Sequence, residues 1–216
     1  TEHGAKVVLA ARSLDKLETL SKQLKDSFIV QTDMKDLDAV KDLVKKTVEN
    51  FGRIDILINN AGLGYDIEVE KIDPKMYTEL FQINLLGPLV LMQEVIPHMR
   101  KIGEGSIVNI SSGTSLMNIP NLAAYSSLKR ALNGISLTAR EELEKDNIMV
   151  SVVYPYITNT NFGKNVISGP RSEKPQDKDD VLPAGDPPEL VAEKILEIIE
   201  SGEAEILAHD WMKDIK

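Results

Sequence analysis

Short apolar segments alternate along the chain with longer segments whose apolar residues recur three and four positions apart. The short segments are almost continuously apolar, as in strands that helices cover on both faces. Strands are predicted at 6–11, 28–31, 54–59, 106–111, 148–154 and 204–208. Helices are predicted at 14–25, 36–51, 74–100, 123–144 and 187–201. This alternation predicts an α/β fold: a Rossmann-like, doubly wound parallel sheet in a three-layer α/β/α arrangement.

The composition sets the number of domains and excludes some partners. The chain has 216 residues, 42% of them hydrophobic, which is enough for one domain with its own core. We therefore expect a single domain over residues 1–216. The formal charge is −9, and no run of Lys and Arg interrupts it, so a nucleic acid backbone would be repelled.

Metal and membrane sites are not expected either. The chain has no cysteine, and its three histidines, His3, His98 and His209, lie far apart in the sequence. No apolar run approaches the roughly 20 residues that span a bilayer, and no charged-then-apolar leader is present. We expect a cytoplasmic protein with no metal ion and no membrane partner.

The most irregular segment runs over residues 159–188 and is rich in Pro, Gly and charged residues. Long loops inside compact domains are usually functional, and open α/β sheets bind ligands at the carboxyl ends of their strands. We expect this segment to be a substrate lid over that end of the sheet.

Tyr125 and Lys129 are the first candidates for chemistry. At four positions apart they differ by roughly 40° around a helix and about 6 Å along it, so both side chains project from one face. With about 5 Å between phenol and ammonium and an effective dielectric constant of about 20, Coulomb's law gives roughly 3 kcal/mol, or about two pKa units. The charge of Lys129 would then bring the pKa of the phenol from about 10 towards about 8. Such a pair also arises often by chance, so the surrounding residues decide whether it indicates a catalytic site.

The surroundings form a recognisable set. Ser112 follows the strand that ends in "NIS", "NNAG" at 59–62 follows another strand, and "INLLG" places Asn84 inside a helix. With Tyr-x-x-x-Lys at 125–129, this order and spacing resembles the short-chain dehydrogenase/reductase family. The resemblance runs from residue 1 to about 162.

The resemblance implies hydride transfer between a nicotinamide and a small carbonyl or alcohol substrate. Tyr125 would exchange the proton with the substrate oxygen, and Lys129 would lower the pKa of Tyr125 and hold the nicotinamide ribose. Ser112 would hydrogen-bond the substrate oxygen, and Asn84 would hold a water that links Lys129 to solvent.

Simpler roles stay open for some of these residues. Ser112 could cap the end of its strand, since Ser111 and Ser115 compete for its role. Asn84 could bond to its own helix, and the "NNAG" run could be only a turn.

The resemblance also implies a binding site for the cofactor. The second strand of the family's sheet ends here in Ala11 followed by Arg12, without the acidic residue that would repel a 2′-phosphate, which favours NADP over NAD. Asp33 matches a residue that contacts adenine, although it could instead cap the helix near Leu37, for which Asp36 is better placed. Arg12 could also simply point to solvent. The remaining cofactor contacts implied by the resemblance are Met34, Asn60, Ala61, Gly62, Tyr125, Lys129, Pro155, Thr158 and Thr160.

Two features depart from the family pattern. Tyr156 follows Pro155 where the family usually has Gly, and its bulk would narrow the pocket or alter the path of the backbone towards Thr158 and Thr160. No Gly-rich turn follows a strand, because "GLG" at 62–64 and "GEG" at 103–105 lack a third glycine. By analogy we expect the natural protein to carry roughly 25 further residues with that turn and a central strand.

Other functions and assemblies follow from the same resemblance. One alternative is a non-catalytic NADP-binding sensor or regulator with this fold. Another is an acyl thioester substrate on a carrier protein, which the ending "SGEAEILAHDWMKDIK" disfavours because it lacks the usual glycine-rich stretch. In similar proteins the helices at 74–100 and 123–144 form oligomer faces, so a homodimer or homotetramer is expected.

Overall fold

The computed structural model describes residues 1–168 and 185–215. Its strands are β1 Val7–Ala11, β2 Ser27–Gln31, β3 Ile56–Asn59, β4 Tyr65–Asp66, β5 Gly105–Ile110, β6 Ile148–Tyr154, β7 Ile167–Ser168 and β8 Glu205–Leu207. Its helices are α1 Leu14–Ser21, α2 Leu37–Phe51, α3 Pro74–Phe81, α4 Gly87–Ile102, α5 Ala123–Leu143, α6 Phe162–Asn165 and α7 Pro188–Ser201. Single turns of 3-10 helix span Val69–Lys71, Gly113–Ser115 and Glu144–Asp146, and a longer one spans Asp210–Ile215. All six predicted strands are present, and the short strands β4 and β7 were not predicted.

The main sheet is parallel, with the strand order β3-β5-β6-β8. Every residue of β5 is buried, because alternate side chains enter different helical layers. Ile107 packs in one core cluster with α2 and α4, whereas Val108 and Ile110 pack with residues of α7 on the other face. The predicted three-layer α/β/α fold is confirmed.

A second parallel pair, β1 with β2, packs on the same core cluster as α2 and α4. Among the described residues, β1 is hydrogen-bonded only to β2, and β3 only to β5. Ile56 and Ile58 of β3 are therefore 43% and 44% exposed, which is unusual for apolar side chains of a sheet edge. These open edges fit the expectation of a further strand between β1 and β3, which stays a prediction.

The helix predicted over 74–100 contains an irregular turn. Asp73 caps its start by accepting a hydrogen bond from the Lys75 amide, and a π-helical turn, Gln82–Leu86, separates α3 from α4. By length and composition, Pro74–Ile102 could cross a membrane, but 56% of its apolar window is buried inside the fold. The core helix of a globular domain passes the same test.

The apolar residues at 89–96, within the helix expected at an oligomer face, lie mostly in the chain's own core. Val90, Leu91, Met92 and Val95 are all buried against α2 and the sheet. They therefore do not mark an oligomer face by themselves, and the oligomeric state stays a prediction.

Candidate active site

The carboxyl ends of β3, β5 and β6 meet at one edge of the sheet, as parallel neighbours must. Asn60, Ser112 and Pro155 lie just beyond these three strands. The Gly113 amide donates to the Pro155 carbonyl at 2.8 Å, which joins the loops after β5 and β6. The structure thus gathers residues from distant parts of the sequence beside α5.

Tyr125 and Lys129 lie together on the buried face of α5, as predicted. Tyr125 is 8% exposed and Lys129 is 3% exposed. The Lys129 Nζ atom lies 5.8 Å from the centre of the Tyr125 ring and donates a hydrogen bond to the Ile110 carbonyl at 2.8 Å. The ammonium is therefore fixed between the end of β5 and the phenol.

Burial controls the pKa values of this pair. It raises the pKa of Tyr125 to about 12, and a hydrogen bond with Ser112 offsets this rise only in part. Burial likewise lowers the pKa of Lys129 to about 8. The expected lowering of the Tyr125 pKa by Lys129 is therefore wrong for this chain without ligands, because the Coulomb argument left out the cost of moving the phenolate out of water. At neutral pH the phenol carries its proton.

Ser112 lies beside the Tyr125 phenol, and its expected hydrogen bond to a substrate oxygen stays a prediction. Its hydroxyl interacts with the Tyr125 phenol, and it also caps the 3-10 turn by accepting from the amide and the hydroxyl of Thr114. Ser111 and Ser115 are engaged elsewhere, because Ser111 donates to Ser115, and Ser115 donates to the Ser112 carbonyl. Of the three serines, Ser112 is the one beside the phenol.

Asn84 lies fully buried in the π-helical turn and holds the loop after β3. Its Oδ1 accepts from the Leu63 amide at 2.9 Å, and its Nδ2 donates to the Leu63 carbonyl at 2.8 Å. Its side chain thus bonds outside its own helix. Pro88 has no amide hydrogen, so it cannot donate to the Asn84 carbonyl as residue i+4 would in an α-helix.

Gly62 lies against both groups. A Cβ atom at Gly62 would stand 3.1 Å from Asn84 Oδ1 and 3.6 Å from Lys129 Nζ. Any side chain would therefore fill the space in front of the ammonium. Asn60 and Ala61, next to it in the "NNAG" loop, are exposed.

The ammonium of Lys129 fits one half of a nicotinamide cofactor. Its hydrogen bond to Ile110 is the only one it makes among the described residues, which leaves two N–H donors inside a buried site. Ribose hydroxyls are suitable acceptors for them. These two donors would suit the ribose contact that the resemblance implies, and that contact stays a prediction.

The residues expected at the adenosine half lie near the ends of β1 and β2. Arg12 is exposed, and its guanidinium has no ion-pair partner in the described part of the chain. Asp33 accepts from the Lys35 amide, whereas Asp36 caps α2 by accepting from two amides. Asp33 is therefore not the helix cap. Met34 packs on the core, with its carbonyl close to Gly87.

Thr158 and Thr160 use their hydroxyls locally. Thr158 donates to the Tyr156 carbonyl, and Thr160 accepts from the Phe162 amide. The Thr158 backbone also forms an isolated parallel bridge to Asp186. Of the predicted lid at 159–188, residues 169–184 lie outside the described residues.

Phe162 is a site residue that the sequence analysis missed. Its ring centre lies 5.8 Å from that of Tyr125, at a tilt of 52°. Its edge lies 3.8 Å from the position of a Cβ on Gly62 and 3.3 Å from one on Gly64. The one available signal was its place directly after the expected cofactor contacts at 158–160.

Tyr156, the departure from the family pattern, joins an aromatic cluster. Its ring meets those of His209 and Trp211 edge-on, at 6.1 and 5.1 Å between centres. His209 Nε2 also lies 2.8 Å from an Asp186 carboxylate oxygen. This cluster ties the loop after β6 to the residues that follow β8.

Comparisons with known proteins show the family to which the chain belongs. A family model described as short chain dehydrogenase matches residues 1–170. The chain is 33% identical over 173 residues to the mouse protein named dehydrogenase/reductase SDR family member 7B, covering 76% of this chain and 54% of that protein. It is 34% identical over 182 residues to human very-long-chain 3-oxoacyl-CoA reductase, covering 81% of this chain and 57% of that protein.

A solved structure has the same fold. The alcohol dehydrogenase of Thermococcus sibiricus, complexed with 5-hydroxy-NADP, superimposes with a TM-score of 0.80 at 25% identity. The match covers 95% of this chain and 86% of that one. This chain spans 54% and 57% of the lengths of the mouse and human relatives.

Proposed function

Because this chain belongs to the short-chain dehydrogenase/reductase family, we propose that it catalyses hydride transfer between NADP and a small carbonyl or alcohol substrate. The observation that carries the proposal is the buried pair of Tyr125 and Lys129 beside the Ser112 hydroxyl. A protein that only bound the cofactor would have no use for this phenol.

In the reducing direction, Tyr125 donates its proton to the substrate oxygen while the carbonyl carbon accepts hydride. Ser112 hydrogen-bonds the same oxygen and holds it against the phenol. A pKa of about 12 keeps the proton on Tyr125 until an alkoxide, which is more basic than a phenolate, develops on the substrate. In the oxidising direction these steps run in reverse, so Tyr125 must release its own proton before it can take the proton of the substrate hydroxyl. The bound cofactor supplies only the hydride chemistry.

Lys129 and Asn84 resupply the proton. The positive charge of Lys129 stabilises the phenolate that remains on Tyr125, and its free N–H donors hold the ribose. As the resemblance implies, Asn84 would hold the water that connects Lys129 to solvent. The Asn84 side chain keeps this turn and the Leu63 loop together.

The preference for NADP is proposed on Arg12. An exposed guanidinium without an acidic neighbour suits a 2′-phosphate, and no carboxylate at the end of β1 would repel it. The remaining contacts are assigned as the resemblance implies, with Asp33 and Met34 at the adenine and the loop from Asn60 at the ribose.

A substrate panel monitored by NADPH absorbance tests the proposal. It should include ketones, sugars, steroids and 3-oxoacyl-CoA esters, since the human relative is named as a 3-oxoacyl-CoA reductase. We expect NADPH oxidation with at least one carbonyl class. NADPH binding without turnover across the panel would favour the non-catalytic sensor. Gel filtration tests the proposed homodimer or homotetramer.

A further inference from the structure

The proposed catalytic pair is shielded from solvent in this structure. Tyr125 and Lys129 are among the buried residues, although their proposed roles require contact with a substrate oxygen and with a ribose. Something that covers them must therefore move before ligands can bind. The covering group is the side chain that lies between solvent and the Tyr125 phenol, next to Gly62.

Phe162 lies on that side. Its ring contacts Tyr125, and its edge reaches the space in front of Gly62, where a Cβ would stand 3.6 Å from Lys129 Nζ. The phenyl ring is itself 38% exposed, so it forms a thin layer between the pair and solvent. The position that a nicotinamide ribose would take beside Lys129 is therefore partly filled by a side chain of the protein.

The segment that carries Phe162 is anchored near its end, where Ile167 packs on the core cluster of Tyr65, Leu80 and Leu128. It consists of α6, which has four residues, and the two-residue strand β7, which pairs with β4. The Ile167 amide donates to the Gly64 carbonyl at 3.0 Å, and Val166 packs on Gly64. Residues 161–165 are all exposed. Moving residues 161–165 away from Tyr125 therefore disrupts few contacts, so its free-energy cost is small.

We propose that residues 161–168 form an autoinhibitory cover, and that Phe162 must leave the space beside Tyr125 and Lys129 before the cofactor binds. The inference rests on the proposed function of this site. Because only the open form binds, the apparent affinity is reduced by the fraction of open molecules. Removing the ring should therefore strengthen cofactor binding, which is the opposite of what loss of a supporting contact would do.

The first test measures the dissociation constant of NADPH by fluorescence, without turnover. We expect Phe162→Ala to bind NADPH about 3- to 10-fold more tightly than the unchanged protein, since the open fraction rises. Phe81→Ala is the matched control, because Phe81 in α3 is equally exposed at 37% and should leave binding unchanged. Equal or weaker binding by Phe162→Ala would overturn the proposal.

The second test locks the segment closed. A Cβ on Gly64 would stand 2.8 Å from a methyl carbon of Val166, so Gly64→Cys with Val166→Cys places two thiols within disulfide range. The chain has no other cysteine, and thiol titration reports bond formation. The oxidised form should bind NADPH at least about 10-fold more weakly, and dithiothreitol should restore binding.

Equal NADPH binding in the oxidised and reduced forms would contradict the cover. Failure of the two thiols to join would contradict the contact between Gly64 and Val166 on which it rests. A protein that binds NADPH in no form would instead contradict the proposed function.

Discussion

The Nζ atom of Lys129 lies 5.8 Å from the centre of the Tyr125 ring, on the buried face of a single helix. Burial moves the two pKa values in opposite directions, to about 12 for the phenol and about 8 for the ammonium. The ammonium is thus the stronger acid. Proton transfer from the Lys129 ammonium to a phenolate on Tyr125 is therefore favourable. Carbonyl reduction needs proton transfer in this direction, because it leaves Tyr125 without its proton.

The buried ammonium predicts a pH dependence of stability. Between pH 8 and the ordinary lysine pKa of 10.5, Lys129 is neutral in the folded chain and protonated in the unfolded chain. The unfolded state binds more protons there, so the free energy of unfolding should rise with pH, by about 2 kcal/mol between pH 8 and pH 10. Tyr125 changes the free energy of unfolding only above pH 10. There the phenol ionises in the unfolded chain but keeps its proton in the folded chain, which lowers stability.

Urea unfolding at these two pH values measures the effect. Lys129→Met should remove the rise, whereas Lys41→Met, at an exposed position in α2, should keep it. The same pH dependence in Lys129→Met and in the unchanged protein would contradict the assignment.

The double hydrogen bond between Asn84 and Leu63 predicts a structural cost of substitution. Asn84→Ala leaves the amide and the carbonyl of Leu63 without partners, and we expect a loss of about 1–3 kcal/mol in the free energy of unfolding. Asn50→Ala, which removes an exposed amide near the end of α2, serves as the control. Thermal and urea unfolding measure the stability of both variants. Equal stability would contradict a stabilising role for the two hydrogen bonds between Asn84 and Leu63.

Tyr156 should stabilise the loop that carries Thr158. Tyr156→Gly restores the residue usual in the family but removes two edge-on aromatic contacts, so we expect a loss of about 1–3 kcal/mol. Trp211→Ala removes one of the same contacts, and the losses should be less than additive in the double variant. Additive losses in urea unfolding would mean that the two rings act independently.

Strand positions were predictable because each continuous apolar segment had to lie between two helical layers. Ile107, for example, faces α2 and α4 while its neighbour Val108 faces α7. The pairing of Tyr125 with Lys129 followed from helix geometry alone. Its pKa values did not, because desolvation depends on burial by residues far away in the sequence.

Other features depend on contacts over long sequence separations. Phe162 reaches Tyr125 because β7 pairs with β4. Each of these strands has two residues, which is too few for a hydrophobic pattern to predict a strand. The contact of Asp186 with His209 joins an irregular segment to the residues after a strand, so no local pattern indicates it.

Arg12 should determine the choice of cofactor. Arg12→Ala is expected to weaken NADPH binding by about 10-fold or more and to leave NADH binding nearly unchanged, since only NADPH carries the 2′-phosphate. Lys16→Ala, at an exposed position in α1, is a charge-matched control. Fluorescence titration with both cofactors measures the ratio, and tighter binding of NADH than NADPH by the unchanged protein would refute the preference.

The most direct measurement compares Tyr125→Phe with the unchanged protein, using NADPH and the best substrate of the panel. The account predicts a loss in kcat of about 100-fold or more, with NADPH binding and thermal stability largely preserved, because only the proton donor is removed. Full turnover by Tyr125→Phe would contradict it.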